Sequence, residues 1–287
     1  MVPARLALSG ALLLCLATPG ASADCGVSGA QPRPDDVARA RAACVTARAR
    51  FAELFGDTVP AVLVMFHEQP GYRVSADGNV GLIYWPSTAA MTKRFGRGVE
   101  AERKVAAQWR EVLPHEIMHA LTIARFYGEG FASDPGGYGT PFPDWFEEAI
   151  GIWGEPLDSR RMRVAQARRR PELGAALRTI LERPHPAATN RALLDERVGA
   201  QLPAGDDELW SFYPRAIALL TFVHETGGRA AVSELARRLI RNPRNEHALV
   251  GLAGMPADAA GVTRAWEKWV AEQPNTSSSN GAQHGIR

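Results

Sequence analysis

Hydrophobic and polar positions predict two buried strands in the first third of the chain. Residues 58–67, TVPAVLVMFH, form an apolar, β-branched run that is typical of a strand buried in a sheet. A second apolar run, residues 80–85, follows the turn sequence Asp77-Gly78-Asn79. We expect the two runs to pair in a small sheet as a hairpin or meander.

Helical patterns dominate the rest of the chain. The predicted helices cover residues 35–55, 100–113, 114–127 and 144–153, followed by a largely helical second half. No linker divides residues 24–271 convincingly, so we expect one domain there. The predicted fold class is therefore α+β, with a small N-terminal sheet followed by a mostly helical body.

The first 23 residues have the features of a secretory signal peptide. Arg5 precedes an apolar run at residues 6–17, and the small residues Ala21-Ser22-Ala23 form a cleavage site. The run is too short for a bilayer, which needs ~20 apolar residues. We expect cleavage after Ala23 and an exported protein, periplasmic or secreted, without stable membrane insertion. At the other end, residues 272–287 are rich in Asn, Ser and Gly and are predicted to be disordered.

Cleavage would leave two of the three cysteines. Cys15 lies in the signal segment, whereas Cys25 and Cys44 lie in the exported chain. Because an oxidising compartment permits disulfides, we expect these two to pair and to staple the mature N-terminus to the first helix. Unpaired thiols are the alternative.

The charge of the chain disfavours nucleic acid as a partner. The 287 residues contain 33 Lys plus Arg and 31 Asp plus Glu, a net charge of +2, and no basic run alternates with aromatic residues. This composition disfavours nucleic-acid binding.

Six arginines lie within residues 160–170, which we interpret as a solvated helix face. We expect a monomer.

The candidate chemistry lies in the motif HExxH, formed by His115, Glu116 and His119. Residues four apart on a helix are offset by only ~40°, so both imidazoles can bind one metal ion. Glu116 can then act as general base on a metal-bound water. The longer metzincin motif is excluded, because Thr122 and Arg125 stand where it requires Gly and His. The motif predicts a catalytic Zn²⁺ site that needs a third ligand.

Three carboxylates compete for that third position. Glu147 and Glu148 lie in an otherwise apolar helix, where a buried charge requires a partner. Helical geometry puts Glu148 beside Trp145 and Ile152 at the edge of the apolar face, which favours it modestly over Glu147. Asp144 is a further alternative by resemblance to zincins that use an aspartate as third ligand, although residues 139–144 do not keep the usual spacing of that group.

The combined pattern resembles a known group of enzymes. HEIMH followed by Trp145-Phe146-Glu147-Glu148-Ala149 is similar to the gluzincin, or peptidase MA-like, zinc metallopeptidases. The resemblance implies a zincin-like fold, zinc held by His115, His119 and Glu148, and Glu116 as catalytic base. Two features depart from the group: Glu147 stands where Asn is more common, and 28 residues separate His119 from Glu148, more than in its compact members.

The resemblance implies two further roles. An edge strand before the HExxH helix would pair with extended substrate, a role that residues 80–84 could fill. Tyr213, at the start of a later helix, could donate a hydrogen bond to the oxyanion at the scissile carbonyl, although a Tyr there is also typical of core packing.

The sequence therefore predicts an exported zinc metallopeptidase, an endopeptidase acting on peptides or proteins. The alternative is a zinc-binding, catalytically inactive scaffold or binding protein of the same fold.

Overall fold

The computed structural model describes residues 24–29, 32–69, 73–128, 140–169, 177–182, 185–186, 207–245 and 247–272. The predicted signal peptide and residues 273–287 of the predicted tail lie outside these residues.

A four-stranded sheet occupies the N-terminal part of the fold. Its strands are β1 (Cys25–Gly29), β2 (Ala61–His67), β3 (Arg73–Asp77) and β4 (Val80–Pro86). Their spatial order is β1-β2-β4-β3, with β1–β2 and β2–β4 parallel and β3–β4 antiparallel. The two predicted strands are thus parallel neighbours, and the turn at residues 78–79 joins β4 to β3 rather than to β2.

The expectation that residues 80–84 form an edge strand is wrong. β4 is paired on both sides, with Val80 opposite Ala61 in β2 and opposite Asp77 in β3. The edge beside β4 is β3, whose sequence RVSAD is short and contains no buried residue. Short polar strands are typical of sheet edges, because an apolar edge would invite pairing with other chains.

The long helix α1 (Pro34–Phe55) crosses over between the parallel strands β1 and β2. Cys25 at the start of β1 and Cys44 in α1 form a disulfide, with their Cα atoms 6.0 Å apart. The predicted pairing is confirmed, and the bond fixes the first strand to the crossover helix.

Helices make up most of the remaining structure. They are α2 (Thr88–Phe95), α3 (Val99–Ala107), a π-helical turn (Gln108–Val112), α4 (Leu113–Phe126), α5 (Asp144–Gly154), α6 (Leu157–Arg169), α7 (Leu177–Glu182), α8 (Asp207–Arg241) and α9 (Ala259–Ala271). Helix α8 kinks at Gly228, which has a φ of 62°. The α+β class, with a small N-terminal sheet and a mostly helical body, is confirmed. None of the described helices combines the length and apolarity needed to span a membrane.

Helices α4 and α5 lie at the centre of the core. Helix α4 packs against β3, β4, α1 and α5, while α8 covers α5, α6 and α1. Nearly every residue of α5 is buried, as expected of a helix that is apolar apart from Asp144, Glu147 and Glu148. On the other side, Gly81 of β4 lies so close to α4 that a Cβ there would be 3.0 Å from the Ala120 backbone. This close approach places the sheet directly beside the HExxH segment.

The arginines of α6 are not simply a solvated face. Arg160 lies over the ring of Trp153 at 4.0 Å, and Arg168 lies over Trp269 at 3.8 Å. Arg163 donates hydrogen bonds to both carboxylate oxygens of Glu155. Since a guanidinium can stack on an aromatic ring and pair with a carboxylate, these three side chains pack inward, whereas Arg161 and Arg169 are exposed as the sequence-based interpretation expected.

Candidate metal site

Helix α4 brings the three residues of the HExxH motif together. The potential ligand atoms of His115, Glu116 and His119 all lie within 4.8 Å of one another. Glu116 and His119 are buried, and the side chain of His115 is 12% exposed. Such a group of two imidazoles and a carboxylate could hold a metal ion.

The helix that carries this motif does not begin at a break in the chain. Helix α3, the π-helical turn and α4 are continuous from Val99 to Phe126, whereas the sequence predicted separate helices on either side of Pro114. Proline has no N–H to donate to the carbonyl four residues earlier, and the π-helical turn directly before it absorbs that interruption. The turn therefore leads straight into the metal-site residues.

Helix α5 presents Glu148 to the motif. Oε2 of Glu148 lies 3.3 Å from Nε2 of His115, and the Glu148 side chain is only 4% exposed. One turn further along α5, a Cβ at Gly151 would lie 2.5 Å from the same nitrogen. Only glycine leaves room for the His115 imidazole between the two helices.

The other ring nitrogen of each histidine faces a second carboxylate. Nδ1 of His115 lies 3.1 Å from Oε1 of Glu155. Nδ1 of His119 lies 3.6 Å from Oε1 of Glu147 and has no hydrogen-bond partner among the described residues. Carboxylates in these places can orient an imidazole so that its Nε2 points to a metal.

Glu147 is itself held from the side away from His119. Its Oε2 accepts hydrogen bonds from the backbone N–H of Thr140 at 2.7 Å and from the Thr140 hydroxyl at 3.2 Å. The side chain is buried and is thus fixed by the residues that precede α5.

The pKa of His115 is strongly raised and that of its partner Glu148 is lowered. Burial alone would lower the pKa of His115, but the carboxylates of Glu148 and Glu155 raise it to about 10. Burial likewise opposes ionisation of Glu148, yet its hydrogen bond to His115 and the charge of that ring lower its pKa to about 2. The two side chains form a buried ion pair, and a metal ion binding there must displace the His115 proton.

In the neighbouring pair, His119 and Glu147, the pKa values shift in the opposite directions. Burial lowers the pKa of His119 to about 4, and the charge of His115 acts in the same direction. Burial raises the pKa of Glu147 to about 8 despite the hydrogen bonds from Thr140. At neutral pH His119 is therefore a neutral imidazole, the form that binds metals.

The structure brings Asp144 and Tyr213 to a different partner, His185. Oδ2 of Asp144 accepts a hydrogen bond from the backbone N–H of His185 at 2.6 Å, and burial raises the pKa of Asp144. Nε2 of the His185 ring lies 3.0 Å from the hydroxyl of Tyr213. His185 is buried, which lowers its own pKa, and its ring interacts electrostatically with Glu148, which links this cluster to the metal-site residues.

Sequence reasoning missed three residues of this region: Gly151, Glu155 and His185. A signal existed for two of them, because Gly151 and Glu155 follow Glu148 at spacings of three and seven and so share its helical face. A carboxylate at the C-terminal end of a helix also faces the negative end of the helix dipole and needs a cationic partner. No local pattern marks His185.

The described geometry thus groups the imidazoles of His115 and His119 with the carboxylate of Glu116 on α4, and it brings the Glu148 carboxylate of α5 to Nε2 of His115. Comparisons with protein-family models, curated proteins and solved structures found no match to this chain.

Proposed function

We propose that this chain is an exported zinc-dependent metallopeptidase that hydrolyses peptide bonds, similar to the gluzincins. One observation carries the proposal. The potential ligand atoms of the three HExxH residues on α4 lie within 4.8 Å of one another, and Oε2 of Glu148 on α5 lies 3.3 Å from Nε2 of His115. Two histidines and a glutamate are a donor set typical of catalytic zinc, which keeps a fourth position open for water or substrate.

The surroundings of the two histidines support zinc. Nδ1 of each imidazole faces a carboxylate, Glu155 for His115 and Glu147 for His119, which leaves Nε2 as the ligand atom. The room left by Gly151 allows His115 to lie against α5 beside Glu148. These residues fit a cation held between the helices.

The chain's own residues then supply the acid–base chemistry. Bound zinc would polarise the scissile carbonyl and lower the pKa of a water molecule. Glu116, buried and adjacent to His115, would accept a proton from the attacking water and later donate it to the leaving amine. Tyr213 remains the candidate donor to the oxyanion, and its hydroxyl is held 3.0 Å from His185 Nε2.

The corrected sheet order suggests where an extended substrate would bind. Ala76 of the edge strand β3 is paired with Gly81 of β4, and Gly81 lies against Ala120, the residue after His119. A peptide added to β3 by backbone hydrogen bonds would thus run alongside the metal-site helix. We therefore assign to Arg73–Asp77 the role that the sequence had suggested for residues 80–84.

The sheet, the order of the helices and the disulfide support the other two parts of the proposal, a zincin-like fold and export. A small sheet with an antiparallel edge strand, followed by the HExxH helix and a helical body, is consistent with a zincin-like fold. The Cys25–Cys44 disulfide is compatible with an exported protein.

The proposal is tested by zinc analysis and a peptide-cleavage screen of the purified wild type, Glu116→Gln and the exposed control Glu267→Gln. We expect about one zinc per chain in all three, cleavage by wild type and control, and a loss of at least ~10²-fold in kcat for Glu116→Gln. Wild-type protein that binds zinc but cleaves no peptide would instead indicate the inactive scaffold. Cleavage that survives Glu116→Gln refutes the mechanism.

A further inference from the structure

A cavity of about 910 Å³ lies beside the N-terminal end of the HExxH helix α4. It is lined by residues of α1, α2, α3 and the π-helical turn, together with Pro114 and Gly154 at the ends of α4 and α5. Small-molecule sites in proteins typically have volumes of roughly 300–1,000 Å³. His115, Glu116, His119 and Glu148 are not among its lining residues, so it is separate from the candidate metal site.

The walls of this cavity are mainly apolar. Ala42 and Ala43 of α1, Ala101 and Val105 of α3, and Trp109 of the π-helical turn contribute to the lining. The indole N–H of Trp109 donates a hydrogen bond to the Thr88 hydroxyl at 3.1 Å, which fixes the ring. A wall fixed in this way can accept an apolar chain without first reorganising.

Cations outnumber anions around the cavity. Arg39, Arg97 and Arg110 belong to its lining, against the single carboxylate of Glu102. Arg110 is already paired with Glu111 at 2.9 Å. Among the residues that the structure describes, neither Arg39 nor Arg97 has a carboxylate within 4.0 Å, and both are exposed at the surface. Arg39 donates one hydrogen bond to the Thr88 hydroxyl at 3.3 Å, so each guanidinium keeps further N–H donors for an anionic group.

We propose that this cavity binds a single-chain fatty acid, with the hydrocarbon chain along Ala42, Val105 and Trp109 and the carboxylate at Arg39 and Arg97. Burial of the chain removes apolar surface from water, and a guanidinium pairs with a carboxylate through two parallel hydrogen bonds. The site goes beyond the proposed peptidase activity and does not depend on it.

The proposal is tested by tryptophan quenching with 9,10-dibromostearate on the full chain. Because Trp109 lines the cavity, we expect saturable quenching in wild type and loss of most of it in Trp109→Phe. Stearate affinity by calorimetry stays within about threefold in that variant, since phenylalanine preserves most of the apolar wall. The uncharged methyl ester binds about 10-fold or more weakly, because it forfeits the charge-assisted hydrogen bonds.

Two pairs of variants localise the binding. Ala42→Trp fills the cavity and reduces stearate affinity about 10-fold or more, whereas Ala49→Trp, exposed two turns further along α1 and outside the lining, leaves it unchanged. Arg97→Ala weakens stearate binding several-fold, and Arg103→Ala, exposed on α3 outside the lining, does not. Because Arg97 is a surface side chain, the comparison of Arg97→Ala with Arg103→Ala still tests the proposal if Ala42→Trp disturbs folding.

The opposite results overturn the proposal. They are absence of saturable stearate binding, equal affinity for the methyl ester, and equal effects of Ala42→Trp and Ala49→Trp. Binding to anionic phospholipid vesicles but not to monomeric stearate would mark a membrane-binding surface instead. A change of oligomeric state in Ala42→Trp without stearate binding by wild type would mark an interface between two copies of the chain.

Discussion

Nδ1 of His115 lies 3.1 Å from Oε1 of Glu155, a carboxylate at the C-terminal end of the same helix that presents Glu148. Both oxygens of Glu155 also accept hydrogen bonds from Arg163 of α6. The His115 ring is thus held on one side by Glu155 and faces Glu148 with its other nitrogen. Glu155 is a positioning residue for the candidate metal site.

We predict that Glu155→Gln weakens zinc binding by roughly 10–100-fold, because the imidazole loses its charged orienting partner. Competition with a chelating dye measures the affinity, and the absorption spectrum of the Co²⁺-substituted protein reports any change in ligand geometry. Glu267→Gln, an exposed change of the same type on α9, serves as the control. Equal zinc affinity in the two variants would show that Glu155 has only a structural role.

The third ligand is tested by comparing Glu148→Gln, Glu147→Gln and Asp144→Asn. We expect Glu148→Gln to lower zinc affinity by more than about 100-fold, beyond the effect typical of an orienting residue. Glu147 is engaged by Thr140, so its change should cost about 10-fold or less. Asp144 accepts the His185 backbone N–H, so Asp144→Asn should stay within about threefold of wild type. A larger loss in Asp144→Asn than in Glu148→Gln would make Asp144 the ligand.

Gly151 and Gly154 allow a matched test of the packing between α4 and α5. A Cβ at Gly151 would lie 2.5 Å from His115 Nε2, whereas one at Gly154 would meet Met118 and the Pro114 carbonyl. Both alanine variants should lower thermal stability, because overpacking typically costs about 1–3 kcal/mol. Only Gly151→Ala should also displace the imidazole and abolish stoichiometric zinc in the folded fraction. Zinc retained equally by both variants contradicts this placement of His115.

The parts of the fold that depend on local pattern could be predicted from the sequence. The i, i+4 spacing of His115 and His119 determines their proximity on any helix, and the apolar sequence of α5 determines its burial. The start of β4 at Val80 and the end of β2 at His67 also agree with the predicted bounds. In each case neighbouring residues alone set the geometry.

The parts of the fold that depend on contacts between residues distant in the sequence could not be predicted. The sequence of β4 does not show that it lies between β2 and β3, because strand order depends on which segments meet after folding. The short polar strand β3 lacks the apolar alternation by which strands are recognised. Similarly, His185 meets Tyr213 and Asp144 only through tertiary packing.

The buried carboxyl of Glu147 predicts a specific dependence of stability on pH in the zinc-free protein. Burial raises its folded-state pKa from 4.5 to about 8. Since the folded state binds this proton more tightly, its stabilising contribution is complete below pH 4.5 and is lost as the pH rises to 8. Glu147→Gln, which carries no titratable proton, should escape that loss.

Urea unfolding of zinc-free wild type and Glu147→Gln at pH 5 and pH 9 measures this contribution. We expect the unfolding free energy of the variant, relative to wild type, to be higher at pH 9 than at pH 5 by roughly 1–4 kcal/mol. The difference between the two proteins cancels the titration of groups that do not interact with Glu147, and Glu267→Gln should show no such change because its side chain is exposed. A variant-minus-wild-type difference that is the same at both pH values would mean that burial does not raise the pKa of Glu147.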